Sequence, residues 1–478
     1  MISASARRTM KKRKMIKVND ERDQINIAKI YEAEQEHIFQ WWDELNPEGR
    51  RRILDQISDL DLQLLSQLVK QHLGPNAKKA RKKQLAPPPI LQLPSRESET
   101  GSQQRQELQK LGEEAIAAGK VAVMMSAGED ATTLGYRCPL GMLEIAPISN
   151  KSLYQWHGEK IMAMNKYYRT SMPWVIMLSQ ATKAQTIEHF EKHSFFGLSS
   201  ADIQFIDQKM LPLVDKRGKM VLASKDSIYL STNGYGGILQ AMRDGAVLEA
   251  LEQQGVEILF YSPIENPLLK IADPLFLGYH IQEEAEVSTK VVRKQSVDER
   301  ADVVSYIDGN LGVLGHDDLP EEEKHALRQD GNLTFYAANT GIHAFSLPFL
   351  KRLLDENIEL PYHKTEAKLD PEDDPEIPKK NPPLFRFETF AFDILQAAEK
   401  KIFVEVPREE EYLPLRSKTG PNSLEAVRKK LSDLFCFWFS QLGEEYLANP
   451  SNVVLEVSPN FAFSFEVFQE KVGKEGIC

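Results

Sequence analysis

The stretch from Val121 to Ile145 constrains this chain more than any other. An apolar run, Val121-Ala122-Val123-Met124-Met125, leads into Ser126-Ala127-Gly128-Glu129-Asp130-Ala131-Thr132-Thr133-Leu134-Gly135, and Cys138-Pro139-Leu140-Gly141-Met142 follows. A buried strand ending in a turn of small residues is where a doubly wound sheet presents nucleotides. Backbone N–H groups at such a turn face a phosphate with no side chain between. Gly128 and Gly135 suit that turn, with Ala127 beside them, yet the loop from Ser126 to Gly135 contains neither lysine nor arginine. It has the backbone of a phosphate loop without the charge.

At 478 residues the chain exceeds one comfortable core, so two or three domains are expected. A hydrophobic content of 42% and a net charge of −11 suit a soluble protein. No segment approaches the roughly 20 apolar residues that span a bilayer, so no membrane partner is expected. Cys138, Cys436 and Cys478 are few and widely spaced, which argues for a reducing, cytoplasmic setting and against a disulfide framework or a zinc site. Seven basic residues between Arg7 and Lys17 precede no apolar run, so they form a tail rather than a secretory signal. The acidic whole argues against nucleic acid as a partner.

Four regions are expected: a basic disordered tail (1–24), a helical N-terminal domain with a Pro/Lys-rich linker (25–103), a nucleotide-binding domain of catalytic type (104–383) and a C-terminal α+β lobe (384–478). In the second region, apolar residues recur at helical period from Ile27 to Leu68, interrupted at Pro47 and Gly49. In the third, strand-like segments at Trp174–Leu178, Ile203–Ile206, Ile258–Tyr261, Lys290–Arg293 and Val303–Ile307 are separated by several helical stretches, which favours an α/β sheet. In the last, Phe385–Phe392, Ile402–Val406, Val453–Val457 and Ala462–Val467 suggest strands around a helix near Leu424–Leu442. The acidic run Asp370, Glu372, Asp373, Asp374 lies among prolines and is expected to be a solvated loop rather than a metal site. His189 and His193 are four apart on a predicted helix, and are expected to face solvent rather than bind metal.

The motifs are similar to those of the UDP-N-acetylglucosamine and UDP-sugar pyrophosphorylases. Their signature loop is Leu-Ala-Gly-Gly-Gln-Gly-Thr-Arg-Leu-Gly followed by Pro-Lys-Gly-Met, matched here at Gly128, Thr132, Leu134, Gly135, Pro139, Gly141 and Met142. Further matches are Pro173-Trp-Val-Ile-Met-Leu-Ser179, Phe205-Ile-Asp-Gln-Lys-Met-Leu-Pro212, Ser231-Thr-Asn-Gly-Tyr-Gly-Gly237, Ile264-Glu-Asn-Pro-Leu-Leu-Lys-Ile-Ala-Asp-Pro274, Phe335 to Asn339, Phe387 to Asp393, and Val406 to Arg416. The resemblance covers roughly residues 25 to 430. It implies a Rossmann-like, glycosyltransferase-A-like mixed sheet, and uridylyl transfer from UTP to a sugar 1-phosphate, giving a UDP-sugar and pyrophosphate with Mg2+.

Residue by residue, the resemblance implies that Ala127, Gly128, Gln208, Gly234, Gly236 and Gly237 hold the nucleotide. A glutamine amide fits the donor and acceptor edge of uracil, and bonding to loop backbone is the other reading of Gln208. Glycines at 234, 236 and 237 let backbone lie flat against a base or sugar. Asn339 and Glu388 fall at sugar-binding positions, Glu265 at the metal-binding aspartate, and Arg416 at the lysine that reaches the phosphates. Asp273 suits a helix cap, and His343 packing. Four departures fall in the signature loop: Glu129 and Ala131 replace glycines, Thr133 the arginine and Leu140 the lysine. Arg137, Lys219 and Lys270 are candidates to restore positive charge, with Arg137 the nearest in sequence. Three readings stand: an active uridylyltransferase, an inactive homologue that binds a nucleotide sugar or a protein partner, or transfer with another nucleotide or acceptor, with Tyr235 and Tyr336 as altered specificity elements.

Overall fold

In the computed structural model, which describes residues 15–74, 83–367, 383–442 and 453–475, the strand Val121–Ser126 lies inside a mixed sheet of eleven strands. Across the sheet the order is Leu91–Gln92, Lys401–Glu405, Val287–Arg293, Ala337–Ser346, Ile258–Pro263, Val121–Ser126, Trp174–Ser179, Ile203–Gln208. Ile258–Pro263, Val121–Ser126, Trp174–Ser179 and Ile203–Gln208 run parallel to one another. Ala337–Ser346 is antiparallel to both of its neighbours on that path. Every residue of Val121–Ser126, Trp174–Ser179 and Ile258–Pro263 is buried, the condition of strands covered on both faces. Alternation divides them: Val121, Val123 and Met125 enter one apolar core, Ala122 and Met124 the other. Parallel strands all point one way, so their carboxyl ends form one edge, and the loop after Ser126 leaves from it.

This sheet belongs to the larger of two compact units, comprising residues 82–209, 232–361 and 389–478. The smaller comprises residues 1–81, 210–231 and 362–388. Its helices Glu21–Glu32, Pro47–Ser58 and Leu62–His72 are N-capped by Asp20, Asn46 and Asp61, whose side chains accept from backbone N–H groups three residues on. Pro47 opens its helix, where a missing N–H costs nothing. The apolar stripe of Ile27, Ile53 and Leu65 is completed by Leu211, Val214 and Phe387 from the two later segments. The first helix opens at Glu21, inside the segment expected as a disordered tail, because Asp20 caps it, and these helices share a core with strands far away in sequence.

The C-terminal region departs from the lobe of four strands. Lys401–Glu405 extends the large sheet beside Val287–Arg293. Residues 453–457 form no strand, and Ala462–Val467 runs into the helix Phe465–Glu475. Phe465 and Phe468 pack on the helix Leu424–Ser440, Trp438 meeting them with ring centroids 6.0 and 5.6 Å apart, whereas Val453 and Val454 are exposed. Leu384–Glu388 pairs with His363–Ala367 in the smaller unit. The acidic run at 370–374 and basic residues 7–14 lie outside the described residues. No described helix is long and apolar enough to cross a membrane.

Candidate active site

The loop after Val121–Ser126 is closed by its own backbone and anchored by apolar side chains. Ala131 N donates to Cys138 O (2.8 Å) and Leu140 N to Glu129 O (3.1 Å), while Asp130 Oδ1 accepts from Thr132 N (2.9 Å). Ala131, Leu134 and Leu140 are buried, whereas Glu129 and Thr133 are exposed. Leu140, at the position of the family lysine, is thus an anchor of the loop. Glu129, Thr133 and Leu140 all line a cavity of about 580 Å³ at the carboxyl edge.

Opposite that loop stand Glu265 and Arg416. Arg416 donates to Glu265 Oε1 through Nε (3.0 Å) and Nη2 (2.7 Å). The carboxylate side chain is 4% exposed, while that of Arg416 is 47% exposed, its guanidinium lining the cavity. Both sit on segments stitched together by backbone: Leu415 N donates to Glu265 O (2.9 Å), and Asn266 binds Leu413 N (2.9 Å) and Glu411 O (2.7 Å). The helix Leu153–Tyr168 clamps the same turn from beneath. Trp156 Nε1 and Lys160 Nζ donate to Pro267 O (3.1 and 2.8 Å), and Lys160 also reaches Leu269 O (2.9 Å). His157 Nε2 bonds Ile264 O (3.0 Å). Burial pushes the Lys160 ammonium down to about 7 and His157 to about 3.

A buried ionic cluster supports the other side of this turn. Lys290, fully buried, pairs with Glu411 and with Asp273 (2.6 Å), and Lys270 pairs with Glu410 (3.2 Å) and Glu411 (3.3 Å). Asp273 also caps the helix Pro274–Gln282 through Leu275 N (3.2 Å), as expected. Lys270 is therefore committed to structure. Lys219, in the smaller unit, gives its ammonium to the Glu34 carbonyl. Arg137 is exposed and does not line the cavity. None of the three stands where the loop lost its cations.

The residues expected to hold the base meet, but against one another. Gln208 Nε2 donates to Gly234 O (2.8 Å), and its Oε1 lies 2.2 Å from where a Cβ on Gly128 would stand. Gly236 N donates to Thr389 O (2.9 Å), and a Cβ there would lie 2.7 Å from the Thr389 side chain. These two glycines are required by the protein's own packing; no approaching ring is needed to explain them. Ala127 N continues the sheet ladder to Met177 O (2.8 Å). Ala127, Gly128, Gln208, Gly234, Gly236 and Gly237 are all buried, and none lines the cavity. Of the two readings of Gln208, its amide here serves loop backbone.

Tyr235, at the family's asparagine, donates from Oη to Glu129 Oε1 (2.8 Å), so two departures from separate motifs bond each other. Burial first, then the carboxylate, holds the phenol well above its ordinary value, so it remains a donor. Asn339 lines the cavity from the strand Ala337–Ser346, its Oδ1 accepting from Gly341 N (3.1 Å). His343 lines it too, with Nδ1 bonded to Thr289 Oγ1 (2.9 Å) and its value pushed by burial to about 3. Glu388 belongs to the smaller unit, accepts from Thr365 Oγ1 (2.6 Å), and is not among the lining residues. His189 bonds Ser152 Oγ (3.0 Å) and is half-buried; His193 is exposed. The motifs missed Asp302 and Glu299, which also line the cavity; acids flanking the strand Val303–Ile307 are the only local signal for them.

Among the described residues, no group of three His, Cys, Asp or Glu side chains could hold a metal ion. Mg2+ needs less, since it keeps waters and takes one or two carboxylates plus substrate phosphates. Glu265 carries both Arg416 bonds on one of its two oxygens, its side chain is 4% exposed, and it is not among the residues lining the cavity.

A loop at the carboxyl edge of parallel strands, with Arg416 on the wall of the same polar cavity, is the arrangement of a Rossmann-like nucleotidyltransferase. Comparison narrows the class. Residues 66–436 match the family model of UTP--glucose-1-phosphate uridylyltransferase, and the chain belongs to that family. It is 30% identical over 439 residues to the Homo sapiens UDP-N-acetylhexosamine pyrophosphorylase-like protein 1, covering 88% of this chain and 86% of that one. It is also 30% identical over 469 residues to the Saccharomyces cerevisiae UDP-N-acetylglucosamine pyrophosphorylase, covering 93% and 96%. The crystal structure of the Trypanosoma brucei enzyme of that name shares the fold at a TM-score of 0.79 and 20% identity, covering 96% and 98%.

Proposed function

We propose that this protein transfers a uridylyl group between UTP and a sugar 1-phosphate, in the cytoplasm, with GlcNAc 1-phosphate or a hexose 1-phosphate as acceptor. The family match across residues 66–436 carries the proposal, and Arg416 on the cavity wall, paired with the buried Glu265, supports it. In the forward direction an oxygen of the sugar 1-phosphate attacks the α-phosphorus of UTP and pyrophosphate leaves. Two anions must approach in line, so the protein's task is positioning and charge compensation. Arg416 serves by exchanging Glu265 for phosphate oxygens. Glu265, so released, would take Mg2+ arriving with the nucleotide, and the ion would offset charge between phosphoryl groups. Asn339, its carbonyl oxygen tied to Gly341, offers its amide N–H groups to sugar hydroxyls. Gln208 and the Gly234–Gly237 turn hold uridine once the amide leaves the Gly234 carbonyl.

A second reading, binding of a nucleotide sugar without turnover, is favoured by Glu129 on the cavity wall and by Thr133 and Leu140 where the family has cations. Release of pyrophosphate from UTP and a series of sugar 1-phosphates separates the two. Turnover that Glu265→Ala abolishes supports transfer; UDP-GlcNAc binding with no turnover supports the second reading.

A further inference from the structure

Resting on the uridylyl-transfer reading, we infer that Asp302 is a sugar-binding residue: beside Asn339 it forms an acceptor–donor pair for adjacent hydroxyls of a neutral hexose or N-acetylhexosamine. Backbone holds the two side by side, Asn339 N donating to Asp302 O (2.8 Å) where Val303 pairs with Ala338. Both side chains line the cavity, and Asp302 is half-buried. Each is oriented by one bond from backbone: Asp302 Oδ1 accepts from His316 N (3.0 Å) and Asn339 Oδ1 from Gly341 N (3.1 Å). Among the described residues these are the only hydrogen bonds of the two side chains. Asp302 thus keeps one carboxylate oxygen, and Asn339 both amide N–H groups, for a ligand. A sugar hydroxyl both donates and accepts, so a carboxylate beside an amide serves two adjacent hydroxyls, and the bond to the charged acceptor is about twice as strong as a neutral one. The carboxylate would repel a sugar acid, so the sugar is neutral. Gly341, at φ +74°, lines the cavity beside Asn339 with no side chain, leaving bare backbone for a ring. Arg416 lines the same cavity, and in a UDP-sugar the ring follows directly on the phosphates that Arg416 would take.

The test is calorimetric titration of the full chain, wild type and Asp302→Asn, with UDP-GlcNAc and with UDP in the presence of Mg2+. The variant keeps an oxygen for His316 N, so it is expected to fold, and an unchanged melting temperature checks that. It should bind UDP-GlcNAc about tenfold more weakly, as a charge-assisted bond becomes a neutral one, and UDP no more weakly than wild type. A second series uses UDP-GlcNAc analogues with one sugar hydroxyl replaced by hydrogen. At one position the replacement should cost wild type about tenfold and Asp302→Asn less than about threefold, the coupling expected of two partners in one bond. That difference compares ligands on the same protein, so a partly unfolded variant does not alter it. Equal weakening of both ligands, no change in either, or no coupled hydroxyl overturns the role of Asp302 and leaves the transfer reading standing. Tightening of both ligands would mark a merely repulsive carboxylate and overturns it too. No binding of either ligand by wild type overturns both.

Discussion

The two sides of the candidate site treat their polar groups in opposite ways. On the base side, Gly128, Gln208, Gly234, Gly236 and Thr389 bond or pack against one another, and the six residues expected to hold the nucleotide are buried. On the phosphate side, Arg416, Asn339 and Glu129 open onto a cavity of about 580 Å³. Both sides rest on the same sheet edge, so the difference does not come from the scaffold. It comes from what each group bonds when no ligand is present. A neutral amide satisfies itself on a nearby carbonyl, and the network closes. A guanidinium keeps donors in reserve after pairing with one carboxylate, and remains in reach of solvent. Family sites can therefore lose their signature charges while the frame that positions them persists.

The largest effect is expected at Arg416. Arg416→Met leaves the Glu265 carboxylate buried without its partner, at a cost of about 2 to 3 kcal/mol once screening by cavity water is allowed for. Turnover should fall about a hundredfold or more, the usual consequence of losing one preorganised donor. Denaturant unfolding and pyrophosphate release check the two effects. A variant with wild-type stability and turnover would show that the phosphate side is not organised by this pair.

Acid should loosen the phosphate side next. His157, which clamps the Glu265 turn, and His343, in the cavity wall, are each held by burial at about 3, against 6.5 when unfolded. Below pH 6.5 the unfolded chain binds a proton at each position that the folded chain refuses. Stability is thus complete above pH 6.5 and is lost as pH falls toward 3. By pH 5 the loss reaches about 2 kcal/mol for each histidine. Unfolding followed from pH 7 to pH 5 should show this slope, and His157→Gln should flatten part of it.

On the base side, Gln208→Ala removes the bond to Gly234 O and should cost about 1 to 2 kcal/mol of stability. Its sharper use is with ligands: uridine nucleotides should bind more weakly, while pyrophosphate alone should bind as to wild type. The smallest effects separate the two lost cations. Thr133 is exposed in the cavity, so Thr133→Arg should raise turnover severalfold with little change in melting temperature. Leu140 is 4% exposed and anchors the loop, so Leu140→Lys should lower the melting temperature without a matching gain.

Much of this architecture was legible in the sequence because burial on two faces leaves apolar runs. Val121–Met125, Trp174–Leu178 and Ile258–Tyr261 announced the central strands, and the small residues after Ser126 announced the loop. The Leu85–Ala86 strand, by contrast, is made by pairing with Val303–Ile307, and no two-residue segment signals its partner. Residues 453–457 have strand composition yet pair with no strand: Val457 is buried, while Val453 and Val454 are exposed. At the site, Asp273 was legible as a cap because capping is local. The Tyr235–Glu129 bond spans 106 positions between two motifs, and neither residue carries a mark of the other. Gln208 was ambiguous because an amide suits a base edge and a carbonyl equally well.

The most direct test is the position of the Gln208 amide in a crystal of the full chain grown with UDP-GlcNAc. Uridine is expected between the signature loop and the Gly234–Gly237 turn, with Gln208 Nε2 moved off the Gly234 carbonyl onto the base and Arg416 turned to the phosphates. A nucleotide bound elsewhere, with Gln208 still on Gly234 and Arg416 still on Glu265, would contradict it.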